Sequence, residues 1–219
     1  MIIVAIDETN FKKASNIIDQ LDSSKCMIKI GSVAFNSIGH NLIDYVAQRG
    51  FDIFLDLKLH DIPNTCISTI KAIKDLKVNY LTIHISSGLE ALKAAKKVSG
   101  KIKLIGVTVL TSLDNKALRE IGFNKNVKKI VLHQAKLANK AKLDAIVCSA
   151  QEVKIVRKIF KKEIITPGIR FTSKINDQKR VLTPREAYAN GADWLVIGRD
   201  LTKGNIKKNT QSLIDHLSQ

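Results

Sequence analysis

Cysteine, aromatic residues and arginine are sparse in this 219-residue chain, and long apolar runs are missing. The three cysteines, Cys26, Cys66 and Cys148, are odd in number and isolated, with no CxxC pair, so neither a disulfide framework nor a zinc site is indicated. They read as reduced, mostly buried thiols of a cytoplasmic protein. No run approaches the ~20 apolar residues needed to cross a bilayer, which sets a membrane partner aside. Met1-Ile2-Ile3-Val4-Ala5-Ile6 is apolar but reaches Asp7 at once. Without a basic segment or a cleavage signal it reads as a buried strand, not a signal peptide. No GxGxxG follows that strand, which removes the commonest signature of a dinucleotide-binding open sheet. Nor is there a linker or a low-complexity segment, so residues 1–219 are expected to form a single domain.

The charge is lopsided. Lys+Arg number 36 against 20 Asp+Glu, a formal net charge of +16, which raises the question of a nucleic-acid partner. Yet arginine occurs only at positions 49, 119, 157, 170, 180, 185 and 199, and the lysines spread over helical stretches such as 93–97 and 125–129. With aromatics at 5% there is little to stack on bases. Solvated helix faces account for the excess, and no nucleic-acid role is expected. A general attraction for small phosphorylated molecules is the consequence that remains.

What the chain does have is alternation. Short β-branched runs at Ile2–Ile6, Met27–Gly31, Ile53–Leu57, Tyr80–His84, Leu104–Val109, Ala145–Cys148, Ile164–Pro167 and Trp194–Ile197 are each followed by helical sequence. They are apolar throughout, as parallel strands covered by helices are. Between them Phe11, Ala14, Ile17, Ile18 and Leu21 recur at helical spacing, as do Phe35, Ile38, Leu42, Ile43 and Val46, and Ile67, Ile70, Ile73 and Leu76. Eight such units in this length predict the α/β class and a compact (β/α)₈ TIM barrel, with a doubly wound open sheet as the alternative. The longest predicted loop, Phe171–Leu182, follows the seventh strand and would sit on the catalytic face.

Charges occur where buried strands should have none. Asp7 follows the first strand, Lys29 sits within Met27-Ile28-Lys29-Ile30, and Asp56 and Lys58 close the third. Because side chains alternate faces, Asp56 and Lys58 share one face and Leu55 and Leu57 the other. The leucines then meet the helices and the charges point into the barrel mouth, at the carboxyl end where barrel enzymes hold their sites. One such residue alone is ordinarily a solvated rim charge or half of a structural ion pair. Four on one rim are harder to explain that way, since charges gathered in a partly dry cavity destabilise unless acids and bases alternate. Asp61 precedes Pro63, which suits the first turn of a helix, so Asp61 is a candidate N-cap. It also completes Asp56-x-Lys58-x-x-Asp61, which capping does not require.

Phe54-Leu55-Asp56-Leu57-Lys58-Leu59-His60-Asp61-Ile62-Pro63-Asn64-Thr65 resembles the signature of the orotidine 5′-phosphate decarboxylase family. The resemblance continues through Ala5-Ile6-Asp7, Lys29-Ile30-Gly31, Val107 to Ser112, Thr166 to Arg170, Asp177 to Arg180, Thr183-Pro184 and Gly191-Ala192-Asp193, and ends at Val196-Ile197-Gly198-Arg199, in the family's order. Ile6 and Ile85-Ser86-Ser87-Gly88 depart mildly from its pattern. The resemblance implies decarboxylation of orotidine 5′-phosphate to uridine 5′-phosphate, without metal or organic cofactor. Lys58 would be the proton donor, flanked by Asp56 and Asp61. It further implies a homodimer in which Asp61, Ile62 and Thr65 reach the neighbouring site. Asp7 and Lys29 would bind ribose hydroxyls and Thr111 the pyrimidine. Arg199, the Gly198 backbone, Gln178 and Arg170 would surround the phosphate, and Pro167 would line the ring pocket. His60 reads as structural and His84 as a candidate pocket residue. A sugar-phosphate lyase on a related barrel shares Asp-x-Lys-x-x-Asp but binds magnesium there; Ile62 to Thr65 and Pro167 to Arg170 favour the nucleotide enzyme.

Overall fold

The computed structural model describes residues 2–169 and 183–218. Eight parallel strands close into a barrel in sequence order: β1 (Ile2–Ile6), β2 (Cys26–Gly31), β3 (Ile53–Leu59), β4 (Tyr80–His84), β5 (Lys103–Val107), β6 (Ala145–Val147), β7 (Glu163–Thr166) and β8 (Trp194–Ile197). The register β1–β8, Ile2 to Leu195 through Val4 to Ile197, joins the first strand to the last and rules out the open sheet. All eight expected strands are present, three with the expected bounds and the others with an end displaced by one or two residues.

Helices cover the barrel: α1 (Phe11–Ile18), α2 (Ser32–Ile38), α3 (His40–Gln48), α4 (Pro63–Ile73), α5 (Leu89–Val98), α6 (Asn115–Glu120), α7 (Val127–Lys140), α8 (Val153–Val156), α9 (Pro184–Ala189), α10 (Arg199–Thr202) and α11 (Ile206–Ser218). The periodic segment from Phe35 to Val46 is two helices, not one. Gly39 has φ +73, a left-handed conformation that breaks α2 from α3. On α7, Val127, Ile130, Val131, Gln134, Ala135 and Ala138 are buried while Lys128, Lys129, Lys136 and Lys140 face solvent. The lysine excess is therefore spent, on this helix, as a solvated face.

Strand alternation splits the core in two. Val4, Ile6, Ile28, Ile30, Leu55, Leu81 and Ile83 face outward and pack with the helices. Ile3, Ala5, Met27, Phe54, Tyr80, Ile105, Ala145, Ile165 and Val196 fill the barrel interior. At its amino end Lys103 Nζ donates to Glu163 Oε1 at 2.6 Å and to the Tyr80 hydroxyl at 2.9 Å, and that hydroxyl donates to Glu163 Oε2 at 3.0 Å. At the carboxyl end the apolar filling stops and the site begins.

Candidate active site

Above the filled interior lies a cavity of about 400 Å³, whose walls differ in character. Asp7, Lys29, Asp56 and Lys58, from the ends of β1, β2 and β3, make one wall, and Arg199 after β8 adds a further cation. Val107 of β5 with Val109 beyond it, Val147 of β6 with Cys148 beyond it, and Pro167 and Ile169 after β7 make an apolar wall, with Thr111 and Ser112 at its rim. A flat ring carrying anionic groups suits such a cavity: the ring meets the apolar wall and the anions meet the cations.

The charges form an alternating chain. Lys29 Nζ lies 3.6 Å from Asp7 Oδ1 and 3.5 Å from Asp56 Oδ2, and Lys58 Nζ donates to that same Asp56 Oδ2 at 2.8 Å. Asp56 is buried, at 8% exposure. Burial alone would raise its carboxyl, but the Lys29 and Lys58 charges, with hydrogen bonds from Lys58 and Thr82, hold it below its ordinary value. Its two oxygens already face ammonium and hydroxyl donors, an arrangement that suits a fixed carboxylate better than a magnesium ligand. Gly31 leaves room for this chain: a Cβ there would lie 3.0 Å from Lys29 Nζ.

Lys58 is where the backbone departs from a plain strand. Its φ is +52, which for a residue other than glycine costs about 1–3 kcal/mol. The β3–β4 register is irregular between Leu55 and Leu59, and the Lys58 N–H donates to the Thr82 hydroxyl at 2.8 Å. Strain of this kind concentrates at sites that must aim a side chain. Thr82, fully buried on β4, also donates to Asp56 Oδ1 at 3.1 Å. Sequence reasoning missed it, although a threonine flanked by Leu81 and Ile83, on the inward parity of Tyr80, was a signal that could have been used.

Of the residues expected in the site, Asp7, Lys29, Asp56, Lys58, Thr111, Pro167, Gly198 and Arg199 line the cavity together. Asp61, Ile62 and Thr65 do not line it; all three are solvent-exposed, Ile62 at 66%. Asp61 is not the N-cap of α4. Ile62 holds that position, and the Asp61 carboxylate instead accepts the Ile62 N–H at 2.7 Å. The reason is Pro63 at the first helical position, which moves the cap one residue along from Asp61. Arg170, Gln178 and the Phe171–Leu182 loop lie outside the described residues. His84 does not line the cavity. Its ring sits 5.0 Å from that of His60, whose Nε2 is 3.3 Å from the Ser86 hydroxyl. Burial first, then the His60 and Lys58 charges, push His84 below the usual imidazole range.

Known proteins resemble this chain from end to end. A protein from Wolbachia sp. subsp. Brugia malayi named orotidine 5′-phosphate decarboxylase is 45% identical over 217 residues, covering 97% of this chain and 96% of its own. One of the same name from Mannheimia succiniciproducens is 44% identical over 210 residues, covering 92% of this chain and 90% of its own. The crystal structure of orotidine 5′-phosphate decarboxylase from Lactobacillus acidophilus superimposes with a TM-score of 0.86 at 31% identity, covering 100% of this chain and 99% of that one. The model of the orotidine 5′-phosphate decarboxylase / HUMPS family matches residues 1–211, and the chain belongs to that family.

Proposed function

We propose that this cavity converts orotidine 5′-phosphate to uridine 5′-phosphate, with Lys58 supplying the proton and with no metal or organic cofactor. The observation that carries the reading is the Lys58 ammonium 2.8 Å from a buried carboxylate, opposite an apolar wall, at the open end of the barrel. The relatives named as decarboxylases of this nucleotide support the same substrate and separate it from the sugar-phosphate branch of the family.

Loss of CO₂ breaks the bond from C6 to the carboxylate carbon and leaves the electron pair on C6, in a ring with no conjugated sink. Fixed cations are then the available stabiliser: two unit charges 4 Å apart interact by about 4 kcal/mol at an effective dielectric near 20. Lys58 stabilises the developing charge and then transfers a proton to C6; the neutral amine regains its proton from solvent. Asp56, 2.8 Å away, holds the Lys58 ammonium in position. Asp7 and Lys29 take ribose hydroxyls, Thr111 the pyrimidine and Pro167 its ring face. Arg199 and the Gly198 backbone take the phosphate, joined by Arg170 and Gln178.

The proposal extends to a homodimer whose sites are shared. Asp61, Ile62 and Thr65 are exposed next to the cavity-forming strand without entering it, a position from which they would meet a neighbouring subunit. One such unit would span residues 1–219. A reducing, cytoplasmic location accords with three free thiols, two of them buried, and with Cys26, which burial pushes up to about 11.

The test is a spectrophotometric assay with orotidine 5′-phosphate in the presence of EDTA. Turnover should survive the chelator. Lys58→Ala should abolish it while a ribose-phosphate ligand still binds. Near-normal turnover in that variant would remove Lys58 from the mechanism.

A further inference from the structure

Leu55 pairs with Leu81 and Leu59 with Ile83, so three residues of β3, Asp56, Leu57 and Lys58, face one residue of β4, Thr82. The strands cannot exchange ladder bonds in the usual rhythm over this stretch, and the Lys58 N–H is met by a side chain instead. A hydroxyl offers one hydrogen and two lone pairs. Thr82 uses both functions: its oxygen accepts the Lys58 N–H at 2.8 Å, and its hydrogen goes to Asp56 Oδ1 at 3.1 Å. That engagement turns the other carboxylate oxygen, Oδ2, toward Lys58 Nζ at 2.8 Å and Lys29 Nζ at 3.5 Å.

We infer that Thr82 is a positioning residue for the decarboxylation, one buried hydroxyl that holds the Lys58 backbone in its left-handed conformation and sets the Asp56 carboxylate between two ammonium groups. This deepens the proposed function and rests on its reading of Lys58 as proton donor. Thr82 itself does not line the cavity, so it acts through its two neighbours and not on the substrate. No water or flexible side chain needs recruiting: the hydroxyl is fully buried and both its partners lie within the shifted stretch of β3. The titratable and charged groups around Asp56 are Lys29 from β2, Lys58 from β3 and His84 from β4.

Thr82→Val keeps the branched shape and deletes the hydroxyl, leaving the Lys58 N–H and Asp56 Oδ1 without that partner. Because ribose and phosphate contacts are untouched, kcat should fall about 10- to 100-fold, the scale for an ångström of misplacement, with little change in KM. Thr82→Ser restores the hydroxyl and should recover most of the loss. The acid limb of the kcat profile should move upward in the valine variant and return in the serine variant, since a donor to the charged carboxylate is removed and replaced. Amide exchange at Lys58, measured without ligand, should accelerate only where the hydroxyl is missing. Should valine prevent folding, the serine–alanine pair at this position makes the same comparison. A valine variant with unchanged kcat and an unmoved acid limb overturns the inference, as do valine and serine variants equally impaired. If the intact protein fails to decarboxylate orotidine 5′-phosphate, the proposed function falls, while amide exchange still reports on the hydroxyl's hold.

Discussion

Replacing Lys29 with methionine should move the acid limb of the reaction upward in pH. Lys29 Nζ stands 3.5 Å from Asp56 Oδ2, with both side chains only 12% exposed. At that separation and an effective dielectric near 20 the attraction is about 5 kcal/mol. At about 1.4 kcal/mol per pKa unit this corresponds to roughly three and a half units. Lys58 stays beside Asp56, and water entering the vacated space screens what is left, so about one to two units is the expected rise. The sign follows from Asp56 being held below its ordinary 3.8. Its contribution to folding is complete above that value and disappears as pH falls through the lower folded-state value. Lys29→Met weakens that contribution, so the variant should be less stable at neutral pH and show a flatter acid side. The assay is kcat against pH for both proteins, paired with urea unfolding at several pH values. The substrate's phosphate ionises near pH 6 in both cases, so the difference between the two curves carries the result. Acid limbs that coincide would refute the claim that Lys29 sets the Asp56 carboxylate.

Three further outcomes follow from the same geometry. Arg199→Ala should raise KM about 10- to 100-fold, the worth of a charge-assisted hydrogen bond, and leave kcat nearly unchanged; initial rates decide. Mixing inactive Lys58→Ala and Asp61→Ala chains should restore activity, because a mixed dimer would contain one site with both residues intact. No recovery with mixed dimers verified by mass would exclude shared sites. Tyr80→Phe should cost about 1 kcal/mol in urea unfolding, through loss of its bonds to Lys103 and Glu163, with kcat unaffected because the network sits at the far end of the barrel.

The barrel was legible because parallel strands buried on both faces leave uninterrupted β-branched runs, and Ile2–Ile6 or Tyr80–His84 can be little else. Its helices were less so: Phe35 to Val46 keep one periodicity across a glycine whose φ the sequence does not print. Asp7, Lys29, Asp56 and Lys58 stood out as charges embedded in apolar strands. Val107, Val109 and Val147, which face them, did not, since an apolar residue at a strand end is indistinguishable from core. Alternation put Asp56 and Lys58 on one face correctly. It gave no hint of the left-handed Lys58 or the shifted register, because a bulge is a property of two strands and the motif lies in one. The misassigned cap at Asp61 has a similar origin: an aspartate two residues before a proline has the composition of a cap, and only the backbone shows which residue fills the position.

The interior beneath the cavity has a consequence for traffic. Ala5, Phe54 and Val196 belong both to the cavity lining and to the packed filling below it. Among the described residues, then, the pocket floor is solid, and what enters at the rim must leave by the rim. A gas molecule formed in the cavity and the nucleotide that gives it up therefore share a single doorway.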